Sequence, residues 1–131
     1  NGVGFYAYSK DAKGKPKKDI DPAALSLLAG IAGDKQEFSS EDIIARVMVP
    51  MINETIRCLE EGIIASARDG DIGAIFGIGF PPFIGGPFRY IDAMGASSLV
   101  ADLRRYEAQH GSRFAPSALL LQMAEQSKSF Y

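Results

Sequence analysis

Few side chains in this sequence are equipped for covalent or proton-transfer chemistry, and most of them recur at helical spacing. There is one histidine, His110, and one cysteine, Cys58. An imidazole titrating near neutrality can act as a general base. His110, however, precedes Gly111 at what reads as a helix end, where a histidine complements the helix dipole. Cys58 lies at the edge of an apolar stripe, and a reactive thiolate needs an electropositive, partly open setting; a buried spectator thiol is the simpler reading. Glu54, Arg57, Glu60 and Glu61 fall at three- and four-residue steps, the pattern of a solvated, ion-paired helix face. Glu54 follows Asn53, and this polar step is a candidate for a domain interface. Asp69 and Asp71 fall in the first turn of a helix, where negative charge suits the dipole. Arg89 and Asp92 are spaced to pair on a short helix. No acid/base pair stands out.

The count of donors excludes further chemistry. A single cysteine rules out an internal disulfide framework and any multi-cysteine zinc or iron–sulfur site. One imidazole leaves transition-metal ligation with almost no partners. Gly2-Val3-Gly4-Phe5-Tyr6-Ala7 fits the loose dinucleotide pattern G-x-G-x-x-A, which needs a strand before it and a helix N-terminus after it. Here a lysine-rich turn follows, so the match carries little. No G-x-x-x-x-G-K-[ST] phosphate loop occurs. Residues 10–18 hold five lysines and one aspartate, which reads either as a phosphate-contacting loop or, more simply, as a solvated surface turn.

The elements that must position these groups read as helices. Asp21-Pro22 has the form of an N-cap followed by proline at the first helical position, with Gly30 or Gly33 as the stop. Ser39 and Asp42 have capping-box spacing. Ile44, Val47, Met48, Met51, Ile52, Thr55, Ile56 and Leu59 then form one broad apolar stripe on a helix of about twenty residues, closed by Gly62. Pro50 inside it removes one backbone donor and is expected to kink it. A second helix starts at Ser66 and ends at Gly77 or Gly79. An apolar loop, Phe80-Pro81-Pro82-Phe83-Ile84-Gly85-Gly86-Pro87-Phe88, follows. Short helices are expected from Pro87 to Met94, from Ser97 or Ser98 to Gln109, and from Pro116 to about Gln126. The N-terminal Gly4–Tyr8 piece reads as non-helical, an extended or turn segment anchored by its rings. The fold class is therefore all-α: a compact helical domain with one long proline-kinked helix and a short extended lead-in. Residues 1–22 form that lead-in and 23–131 the helical domain.

Length and composition agree. The 131 residues suit one compact domain, with 47% hydrophobic and 23% charged residues, which excludes disorder and low-complexity scaffolds. A net charge of −2 supplies no global basic field, so nucleic acid is not an expected partner. The uncharged run between Asp71 and Arg89 carries five glycines and three prolines, and these breaks exclude a membrane span. With no initiator Met and no signal pattern, the chain reads as a cytoplasmic, processed piece or a segment of something longer.

The run from Asp69 to Asp92, with Gly79-Phe80-Pro81-Pro82-Phe83 and Gly85-Gly86-Pro87-Phe88-Arg89-Tyr90-Ile91-Asp92, resembles the C-terminal helical domain of the L-3-hydroxyacyl-CoA dehydrogenases. More closely, it is similar to the last domain of the alpha subunit of bacterial multifunctional fatty-acid β-oxidation enzymes. Gly2–Tyr6, the helix Ile44–Glu54, Cys58–Gly62 and Gly111–Pro116 extend the likeness over nearly the whole chain. The resemblance implies a helical fold of the 6-phosphogluconate dehydrogenase C-terminal type. It also implies a parent with an enoyl-CoA hydratase region, a Rossmann domain that binds NAD, and two related helical domains, partnered by a thiolase beta subunit and acting on acyl-CoA.

In the first of those helical domains, the resemblance places an active-site asparagine where this chain has Ala45, followed by Arg46. Alanine cannot hydrogen-bond a substrate carbonyl. This copy is accordingly expected to be the degenerate repeat, with no catalytic, cofactor-binding or metal residues of its own. Alone it is expected to be inactive. Its expected work is packing against the preceding helical and Rossmann domains and steadying the acyl-CoA cleft. The packing candidates are Arg46, Pro50, Asn53, Glu54, Phe80, Pro81, Pro82, Phe83, Gly86, Pro87, Phe88, Arg89 and Asp92. An isolated copy is expected to form a homodimer through the uncovered apolar face. The alternative is an independent helical binding or dimerisation module without an enzymatic role.

Overall fold

The computed structural model describes residues 4–34 and 36–131. The first two residues of the Gly-rich motif, Gly2 and Val3, lie outside them. Two compact units result, Asn1–Phe38 and Ser39–Tyr131.

The first unit is a hairpin followed by a short helix. Strand β1 (Tyr6–Lys10) pairs antiparallel with β2 (Pro16–Ile20), Tyr6 opposite Ile20 and Lys10 opposite Pro16. The lysine-rich stretch read as a turn is therefore half turn and half strand. Its turn is built by Asp11, whose carboxylate accepts the N–H groups of Lys13 and Lys15, each at 2.8 Å, and by Gly14 at φ 75°. Pro16 is tolerated because it opens the strand. Lysines hide the alternation that would have signalled β2. Helix α1 (Pro22–Leu28) begins as expected: Asp21 accepts the N–H of Ala23 at 2.9 Å, with proline in the first turn.

The second unit carries the core. Helix α2 (Ser40–Glu60) is 21 residues long and runs through Pro50. Ser39 caps it, accepting the N–H of Asp42 at 3.0 Å. The carboxylate of Asp42 takes the phenol O–H of Tyr106 at 3.0 Å, so the box also ties this helix to a distant one. Helix α3 (Ala67–Ile78) is capped by Ser66 and stopped by Gly79 in the left-handed region. After a 3-10 turn at Pro82–Ile84 come α4 (Pro87–Met94), α5 (Ala96–His110), a second 3-10 turn at Ser112–Phe114, and α6 (Ala118–Glu125). Helix α5 starts one residue before the serines, at Ala96. Helix α6 starts after Ser117, which accepts the N–H of Leu120, so Pro116 stays outside it. Val49, Ile52 and Ile56 of α2 meet Phe88 and Ile91 of α4, Leu99, Leu103 and Tyr106 of α5, and Leu120 of α6 in one buried cluster.

Candidate functional site

The broad stripe of α2 divides into two. Its inner part, Ile52 and Ile56, is 0% exposed and belongs to the core, together with Val49, which the stripe did not include. Its outer half remains open: Ile44 and Val47 are 61% and 63% exposed. Farther along the same side, Met51, Thr55 and Cys58 face Gly70, Gly73, Ala74 and Ile78 of α3 across a groove of about 380 Å³. Glu54 and Asp69 supply its charged edge. Cys58 is thus half-buried in an apolar groove wall. Phe76 and Phe83 are 85% and 88% exposed. The unit has a complete core and carries apolar surface beyond it.

The interior is tied by polar side chains whose partners lie far along the chain. Asn53, 1% exposed, bridges α2 to the segment before α6. Its amide donates to the carbonyl of Ala115 at 2.9 Å and accepts from the N–H of Ser117 at 3.0 Å. Arg57 donates to the same carbonyl at 2.8 Å while its other nitrogen lies 3.3 Å from Glu54. Glu60 accepts the N–H of Leu119 at 3.2 Å. The face expected to be merely solvated therefore clasps the segment that leads into α6, because α6 folds back along it.

Asp71 corrects another expectation. Only Asp69 serves the start of α3, accepting the hydroxyl proton of Ser66. Asp71 is 4% exposed and reaches the start of α4, where it accepts the N–H of Phe88 at 2.7 Å. That helix is entered through Gly86, which has no side chain to cap it. The two facts have one cause: at φ 108° a Cβ on Gly86 would run into the Asp71 carboxyl. The acceptor that a serine cap would normally provide comes instead from the neighbouring helix. Gly70 is equally tight, since a Cβ there would strike the Phe88 ring and Ile64. An aspartate inside an otherwise apolar, glycine-rich helix was the available signal.

Arg89 and Asp92 do not serve each other. The guanidinium of Arg89 lies 3.7 Å over the Tyr131 ring. Asp92 accepts the N–H groups of Phe130 and Tyr131 at 2.8 and 3.0 Å. The Tyr131 phenol donates to Asp71 at 2.8 Å. Burial, and then this bond to a carboxylate, hold its pKa above the ordinary tyrosine range.

Of the packing candidates, Asn53, Phe80, Gly86, Pro87 and Phe88 are buried inside the unit. Arg46, Pro50, Pro81 and Asp92 are half-buried, and Glu54, Pro82, Phe83 and Arg89 are exposed. Ala45 is half-buried against the core. His110 ends α5 as read, its ring 6.1 Å from Tyr106 and 5.8 Å from Phe114.

The described part of the Gly-rich run does not have the form of a dinucleotide turn. The Gly-rich run leads into a hairpin strand and not into a helix N-terminus, so no turn there can present N–H groups and a helix dipole to a pyrophosphate. Among the described residues, no three or more His, Cys, Asp or Glu side chains are grouped to hold a metal. No helix there is long and apolar enough to cross a membrane.

Comparison with known proteins accounts for this arrangement. The family model for the 3-hydroxyacyl-CoA dehydrogenase C-terminal domain matches residues 43–129. The chain is 56% identical over 131 residues to the fatty acid oxidation complex subunit alpha of Shewanella amazonensis, and spans 18% of that relative's length. The crystal structure of M. tuberculosis FadB2 matches with a TM-score of 0.63 at 21% identity, over 96% of this chain and 51% of that one. That last likeness is one of fold. The chain belongs to the family of 3-hydroxyacyl-CoA dehydrogenase C-terminal domains.

Proposed function

We propose that this chain is the second, non-catalytic helical repeat of a bifunctional fatty-acid β-oxidation enzyme that hydrates 2-enoyl-CoA and oxidises L-3-hydroxyacyl-CoA with NAD. In this reading it works in the cytoplasm, within a complex that includes a thiolase beta subunit. NAD would be held by a Rossmann domain elsewhere in the same protein, where it accepts the hydride. The chain's own work is mechanical. Its open α2/α3 face packs against the preceding helical and Rossmann domains and thereby steadies the acyl-CoA cleft.

The observation that carries this reading is the outer half of α2: an apolar stripe and groove left over once the unit's own core is complete. Burying one such side chain contributes roughly 1.5–3 kcal/mol. Several together would hold two domains that already share a chain, since linkage removes most of the entropic cost of association. Ala45, at the position the family resemblance gives to an active-site asparagine, is spent on packing.

The test has two arms. In the full-length enzyme, Val47→Asp together with Phe76→Asp should lower 3-hydroxyacyl-CoA oxidation and the melting temperature together. The isolated chain should show no oxidation and a mass by light scattering that rises with concentration. Measurable turnover by the isolated chain would sink the reading. A clean monomer at high concentration would replace the apolar contact with a polar or loop-mediated one.

A further inference from the structure

We infer that residues 127–131 are a strap that fixes α3 against α4 and so sets one wall of the α2/α3 groove. The chain leaves α6 through a built reversal. Ser127 donates its N–H to Ala124 at 3.2 Å, and Lys128 donates to Met123 at 3.0 Å. This is the hydrogen-bond pair of a Schellman motif, whose left-handed residue is usually glycine. Ser127 occupies that position with φ 50°, so the backbone accepts strain to send the tail back across α4.

There the tail meets a receiving site. Asp92 holds both of the tail's consecutive N–H groups, one on each carboxylate oxygen. Phe130 sets its ring edge-on to Phe88, with centroids 4.9 Å apart. Arg89 covers the Tyr131 ring. Arg89 and Asp92, at the spacing of a helical ion pair, are both given over to the strap.

The shared anchor is Asp71. One of its oxygens holds the first turn of α4 through Phe88, and the other holds the strap through the Tyr131 phenol. It lies on α3, one residue along from Gly70, which lines the groove. Losing the phenol donor while the tail stays in place would leave an oxygen of a largely buried aspartate without its partner, a costly state. The relaxation open to it is movement of α3 toward water, which shifts the groove wall. The inference rests on contacts inside this unit, so it stands or falls apart from the enzymatic assignment.

Hydrogen exchange on the full-length protein tests it. Tyr131→Phe keeps the ring beneath Arg89 and removes only the phenol proton. Asp92→Ala releases the two tail N–H groups. Both should speed exchange of the amides in 67–78, by about fivefold for Tyr131→Phe, the effect of one net hydrogen bond on a local opening equilibrium. Asp92→Ala should also speed exchange at 127–131. Faster exchange confined to 127–131, with 67–78 unchanged in both variants, would overturn the proposal and make the tail a passive cover. Tyr131→Phe alone decides the matter if Asp92→Ala fails to fold, because it alters no backbone contact.

Discussion

The two units are built from the same local signals and differ in what those signals are attached to. In the first, Asp11 folds the hairpin turn and Asp21 starts α1. Yet residues 4–20 are exposed throughout, and α1 buries none of its residues. In the second, Ser39, Ser66 and Ser117 start helices in the same way, but each helix then enters a shared core. A lone two-stranded hairpin and a seven-residue helix are marginal in water. Caps and turns therefore choose a conformation, while burial makes it persist. Leu25, Leu27 and Ile31, at 55–85% exposure, show that the first unit has apolar side chains to bury and does not bury them within itself.

The contrast breaks most sharply at the α3/α4 junction. Phe88→Ala removes a fully buried ring and should cost about 3–5 kcal/mol in urea unfolding. Gly86→Ala should come close to it, because the new Cβ meets the Asp71 carboxyl and the φ of 108° is hostile to any side chain. Tyr8→Ala in the hairpin, at 72% exposure, should stay within about 0.5 kcal/mol. A large effect at Tyr8 would mean that the first unit has a buried role of its own.

Asn53→Ala comes next. It strands the N–H of Ser117, whose side chain is 4% exposed, whereas Ala115 keeps its bond from Arg57. With one buried donor left unpaired, a loss of about 1–3 kcal/mol is expected. The same unit should also soften in alkali. Burial first, then a bond to Asp42, raises the pKa of Tyr106, as burial and Asp71 raise that of Tyr131. A raised folded-state pKa gives stability that is whole below the unfolded value near 10.0 and is lost as pH climbs through the folded value. Urea midpoints should thus fall above about pH 10, less steeply in Tyr106→Phe. A slope unchanged by that substitution would remove the phenol from the account.

What could be read in advance follows the same division between local and distant. The helix starts at Asp21, Ser39 and Ser66 were legible because a cap is a bond between residues two or three apart. Helix α4 was bounded by Pro87 and Gly95 because their backbone preferences act at the position itself. The fates of Asp71, Asn53, Arg89 and Asp92 were not legible. Their partners lie 17 to 64 residues away for the bonds of Asp71 and Asn53, and sequence spacing says nothing about that. It offered Arg89 a nearby Asp92 and Asp71 a nearby helix end, and the fold uses neither. Strand β2 escaped for a different reason, since lysine stems lie on a strand face without making it apolar. The apolar stripe of α2 was visible as a stripe, but its division into a buried half and an open half depends on where α3 and α5 land.

The smallest expected effect compares two caps of equal local value. Ser39→Ala removes the acceptor for Asp42 and loosens the start of a helix that carries Val49, Ile52 and Ile56 into the core. About 1 kcal/mol should be lost, and it should appear in the global unfolding midpoint because α2 cannot fray far without uncovering that core. Asp21→Ala removes the same kind of bond from Ala23, but α1 has no buried residue to couple its fraying to anything else. Its loss should therefore show as faster amide exchange in 22–28, with the unfolding midpoint unmoved. If Asp21→Ala shifts the midpoint as much as Ser39→Ala does, the first unit is energetically part of the second. The exposed face of α1 would then have to be counted with the core.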